Sequence, residues 1–116
     1  MLAALAVGLG AFGAHALKAR LSVEMLAVWQ TAVQYHAWHA LGLIAIGLAG
    51  FHLEASWLKA AGWLLLAGTV LFSGSLYAVA LGAPRVLGMA TPVGGLAFIL
   101  GWLAFAVAVI VARTPA

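Results

Sequence analysis

Four long apolar stretches run along the chain, separated by short groups of charged and hydroxyl residues. The first extends from Met1 to Leu17 without a charge before Lys18. As a helix it reaches about 25 Å, the short end of what a ~30 Å hydrocarbon core requires. Ala14-His15-Ala16 has the form of a leader cleavage site, but no basic residue precedes the apolar run and the rest of the chain is equally apolar, so the segment reads as a retained span. Lys18 to Leu21 form a connection. Ser22 is suited to cap the next helix, with Glu24 in its first turn where the positive end of the helix dipole favours a carboxylate.

From Ser22 helical composition persists to about Phe51, with no proline and no glycine before Gly42. Some 30 residues make about 45 Å of helix, more than a hydrocarbon core needs. Glu24, Gln30, Thr31 and Gln34 all lie in the first half. Residues 22 to 34 are therefore expected to be interfacial or protruding, and 35 to 51 embedded. His52, Glu54, Ser56 and Lys59 mark the second connection, and Trp57 to Leu81 gives a third span. Gly82 and Pro84 predict its stop, because glycine tolerates the left-handed position after a helix and proline cannot continue one. Arg85 follows, then Thr91-Pro92 predicts the start of a fourth helix with a hydroxyl cap and proline in the first turn, running to about Ala112.

Composition turns these stretches into spans. Of 116 residues 67% are hydrophobic and 6% charged, with a mean hydropathy of +1.21, against roughly 25% charged in soluble domains. A soluble fold of this size could not bury so much apolar surface. The predicted fold is all-α: a polytopic membrane protein, a four-transmembrane-helix bundle forming one domain over 1–116, with spans at about 1–17, 35–51 within helix 22–51, 57–81 and 92–112. Membrane lipids are its first partners. The five basic residues, at 18, 20, 59, 85 and 113, form no patch and flank spans, so nucleic acid is not expected. Lys18, Arg20 and Arg85 against Lys59 and Arg113 favour cytoplasmic first and third connections. Trp29, Trp38, Trp57 and Trp63 suit either interfacial anchoring or helix packing. Without cysteine there is neither a disulfide framework nor a thiolate metal site.

In lipid, helices associate through close backbone approach, which small residues allow. Four-residue stripes of them occur at Ala6, Gly10 and Ala14, at Gly74, Ala78 and Gly82, and at Ala104, Ala108 and Ala112, while Gly94 and Gly95 open the fourth helix.

The polar residues gather toward one end. His15 shares a small-residue face with Gly8 and Ala11 and is expected to point into a helix contact. His36 and His39, three apart, share a face of the second helix. Three imidazoles are thus expected to converge, joined by Thr69, Ser73 and Tyr77 at four-residue spacing, by Ser75 and by Thr91. Ionisable groups inside a membrane point to function by default. The structural account is that spanning hydroxyls bond back to carbonyls four residues earlier and neutral histidines link helices. Metal or heme ligation by His15, His36 and His39, and proton handling, stand beside it. Glu24 and Glu54 are the only carboxylates, and no nucleophile elbow, zinc-protease motif or phosphate loop is present.

Five ordered blocks add a resemblance: Gly-Ala-Phe-Gly-Ala-His (10 to 15), Tyr-His-Ala-Trp-His-Ala-Leu (35 to 41), Phe-Ser-Gly-Ser-Leu-Tyr (72 to 77), Thr-Pro-Val-Gly-Gly (91 to 95) and Gly-Trp (101 to 102). In order and spacing they resemble the YgdD/YwdK-like family of small uncharacterised bacterial inner-membrane proteins. The likeness implies a four-span, multi-pass protein of the cytoplasmic membrane and supplies no activity or cofactor. The leading reading is a non-enzymatic membrane component that packs through small-residue faces and associates with itself or a larger membrane complex. The alternatives are a metal, heme or small ligand at His15, His36 and His39, or passage of a small solute or proton through that cluster. The lack of broken helices or inverted repeats counts against a transporter.

Overall fold

The computed structural model describes residues 1–54 and 56–113. Position 55 and the last three residues of the expected 1–116 domain lie outside the described residues. Among these residues four helical rods alternate in direction: α1 (Leu2–Leu17), α2 (Val23–Ala49), α3 (Ser56–Ala80) and α4 (Arg85–Arg113). Among the described residues there is no strand.

Local rules account for the ends. The Ser22 hydroxyl accepts the Met25 backbone N–H at 3.1 Å, and Glu24 occupies the first turn of α2. Gly82 has φ +104, the left-handed value that a side chain would disfavour, and α3 stops there. The fourth helix departs from expectation. It opens with a 3-10 turn at Arg85–Met89 and is α-helical from Ala90, so Thr91 lies inside the helix instead of capping it.

α3 and α4, of 25 and 29 residues, are each long and apolar enough to cross a membrane, and α1 is a shorter apolar helix. α3 and α4 form the closest pair. A methyl group on Gly94 would collide with the backbone of Phe72, and one on Gly68 would sit 3.1 Å from the Gly94 carbonyl. Around this seam Leu58, Ala61, Leu65, Phe98, Ala104 and Ala108 form the main core with Ile46 of α2. A second core, Leu17, Trp29 and Ala80, ties α1 and α2 to the end of α3.

The small-residue stripes are thus used selectively. Gly10 touches Val33, Gly94 and Gly95 lie against Phe72, and Ala104 and Ala108 are buried. Ala14, Gly82 and Ala112 are exposed, Ala78 is only partly covered, and no neighbour stands within 4 Å of where a Gly74 side chain would begin. On α3 the contact falls to Ala61, Leu65 and Gly68 instead, the positions that face α4.

Packing narrows the expectation that residues 22 to 34 are interfacial or protruding. Trp29 is 2% exposed and Ala32 fully buried, so the helix is packed from Trp29 onward and does not protrude from the bundle there. Gln30, Thr31 and Gln34 are exposed because they lie on its opposite face.

Candidate functional site

The buried polar groups form two linked centres on the inner face of α2. The upper one is built on α3, where a wide π turn at Thr69–Ser73 interrupts the α-helix. Thr69 donates to the Leu65 carbonyl at 2.8 Å, the back-bond expected of a hydroxyl in an apolar helix. Ser73, 1% exposed, instead reaches across and donates to the Ala32 carbonyl of α2 at 2.8 Å. Ser75 donates its one O–H to the Phe72 carbonyl at 2.9 Å, so the Thr91 hydroxyl, 2.6 Å away, is the donor to Ser75. Tyr77 OH meets His36 Nδ1 at 2.9 Å. One stretch of α3 thereby fastens both its neighbours.

His36 is 2% exposed, and its Nε2 has no hydrogen-bond partner. The backbone of Leu2 comes near without completing a bond. Whichever nitrogen carries the proton, one ring atom is left as an orphan, at a cost of about 1–3 kcal/mol.

The lower centre is complete. His39 Nδ1 lies 2.6 Å from the Tyr35 carbonyl, which only accepts, so Nδ1 must donate. Nε2 is then the acceptor, and the Trp102 indole N–H donates to it at 3.0 Å. The ring stacks on Phe98 with centroids 3.5 Å apart. These two bonds fix a neutral tautomer with no free lone pair. His39 cannot ligate a metal or take a second proton without losing Trp102.

His15 joins neither centre. A π turn at Gly13–Leu17 buries Gly13 and Leu17 and leaves His15 exposed, because Gly13 must face α2 to seat the Trp29 indole, which donates to the Leu9 carbonyl at 2.9 Å. The face expected to hold His15 with Gly8 and Ala11 is therefore the outward one, and the three imidazoles do not converge. Among the described residues no group of three or more His, Asp or Glu side chains is placed to hold a metal. Of the predicted set, His36, Ser73, Ser75, Tyr77 and Thr91 are brought together, with His39 one turn below and Thr69 bonded within its own helix.

Trp29, suited by sequence to anchoring or packing, and Trp102, for which the sequence suggests no role, both serve as hydrogen-bond donors. An indole N–H in an apolar segment must find an acceptor, and that requirement was the available signal. Beside the lower centre an open groove of about 620 Å³ runs between α2 and α4, with Tyr35, Phe72, Phe98 and Trp102 among its walls.

A model of the family described as protein of unknown function DUF423 matches residues 9–95. The UPF0382 membrane protein YwdK of Bacillus subtilis is 49% identical over 115 residues, covering 93% of this chain and 89% of the relative. A UPF0382 membrane protein of Staphylococcus epidermidis is 47% identical over 108 residues, covering 91% and 86%, and one of Staphylococcus haemolyticus is 49% identical over 101 residues, covering 85% and 80%. No solved structure matches. The resemblance drawn from the five sequence blocks holds, and with helices of this composition the chain belongs to the DUF423 family of small membrane proteins of unknown function.

Proposed function

We propose that the chain is a non-enzymatic, multi-pass component of the bacterial cytoplasmic membrane, one unit in which all four helices cross the bilayer. The observation that carries this reading is the use of the buried polar side chains. Ser73, Ser75, Tyr77, Thr91 and His39 are spent on bonds that hold one helix to another, which is what assembly needs in lipid. The same bonds explain why α2 looks too polar for a span when its residues are averaged. Its two histidines face the interior and so would not meet lipid. Lys18, Arg20, Glu24 and Arg85 stand at one end of the rods and His52, Glu54, Lys59 and Arg113 at the other, an arrangement that supports four crossings with the first and third connections on the cytoplasmic side.

The chain has no cysteine, so single cysteines at exposed positions report topology cleanly. Val86→Cys and Ser22→Cys are expected to share one side of the membrane, and His52→Cys the other, when intact cells are treated with an impermeant thiol reagent. Labelling of all three from the same side would sink the four-span reading.

A second reading, small-ligand binding, is favoured by one atom, the unpartnered Nε2 of His36. It requires that protein purified gently from its own membrane carry a metal or chromophore that disappears in His36→Phe. A colourless, metal-free preparation removes it.

A further inference from the structure

α2 has an outer face as well as an inner one. Ala27, Thr31, Gln34, Trp38, Leu41 and Ala45 are all exposed and follow one another at steps of four, three, four, three and four, with Gln30 beside them. This is the 3.5-residue seam by which two helices wind around each other. The outward positions of α3 beyond Trp63, and those of α4 from Pro92 to Ala112, offer only hydrocarbon apart from Trp102, whose N–H is taken by His39. The outer face of α2 therefore stands apart in presenting carboxamides.

Their depth makes them costly. Ala32, midway between Gln30 and Gln34, is bonded to Ser73, seven residues short of the α3 end at Ala80. Seven residues of helix are about 10 Å, which places both amides inside an apolar layer of ~30 Å. Each amide carries two donors and an acceptor, and among the described residues no hydrogen bond engages either side chain. In hydrocarbon, unsatisfied groups of this kind cost several kcal/mol.

A carboxamide is complementary to itself. Two copies in one membrane share the same orientation, so a two-fold axis along the membrane normal brings their α2 helices together in parallel and sets Gln34 opposite Gln34 at equal depth. One polar position in an otherwise apolar seam also fixes register and the number of strands. We propose that the protein is a homodimer joined along the outer face of α2, with Gln30 and Gln34 hydrogen-bonded across the axis. This inference rests on the four-span reading and names the partner it left open.

Thr31→Cys and Ala27→Cys, which leave both glutamines in place, are treated with a mild thiol oxidant in native membranes, with Leu103→Cys on α4 as the control. Disulfide-linked species of twice the chain mass are expected at 31 and 27 and not at 103. Adding Gln30→Leu and Gln34→Leu to Thr31→Cys should lower the linked fraction about tenfold, the equivalent of 1.4 kcal/mol. The proposal is overturned by monomers at both seam positions, by equal linkage at Leu103, by linkage to a species of another mass, or by linkage indifferent to the glutamines. If the topology labelling gives four crossings and the seam stays monomeric, the dimer alone fails.

Discussion

His36 and His39 lie three residues apart on one helix, equally removed from solvent, yet their surroundings treat them differently. His39 has an acceptor on one side and a donor on the other, so its protonation state follows from its neighbours. His36 has a hydroxyl on one nitrogen, which can act in either sense, and nothing on the other. Residue type and burial do not distinguish a structural histidine from an available one. The count of occupied lone pairs and N–H groups does.

The comparison can be broken most forcefully at the complete centre. His39→Ala should cost about 2–4 kcal/mol, since it strands the Trp102 N–H and opens a void against Phe98. Chemical unfolding in mixed micelles, followed by circular dichroism, would measure it. Trp102→Phe keeps the aromatic wall and removes only the donor to Nε2, so a loss of about 1–2 kcal/mol is expected in the same assay. The open centre should respond least. His36→Leu with Tyr77→Phe removes both partners of one bond and the orphan nitrogen with them, and should fall within about 0.5 kcal/mol of the parent. A loss as large as that of His39→Ala would show that the two histidines are not different in kind.

Much of the fold was legible because it depends on short-range rules. The Ser22 cap and the Gly82 stop need only their own few residues, and three of the four rods begin and end within two residues of expectation. Thr91 shows where such rules fail. Its hydroxyl could cap a helix or meet Ser75, and only the neighbouring helix decides. The direction of His15 was illegible for a similar reason. Gly8 and Ala11, ahead of the π turn, are exposed along with it, so what α1 alone does not announce is which of its small-residue faces meets α2; Trp29 seated against Gly13 decides that. Glycine-rich helices offer several stripes at the same spacing. Whether Gly74 or Gly68 meets a neighbour depends on where Phe98 and Gly94 arrive from α4. Gln30 and Gln34 are plain in the sequence, but their level against α3 is set by the bond from Ser73 to Ala32, which is a fact about packing.

The two tryptophan donors also set an order of events during synthesis. The Leu9 carbonyl waits only 20 residues for the indole of Trp29, so the first hairpin can be clasped while the ribosome is still making the third helix. Nε2 of His39 waits 63 residues for Trp102. Until the last helix is nearly complete, the nascent chain must shelter an imidazole held only through its other nitrogen, by Tyr35.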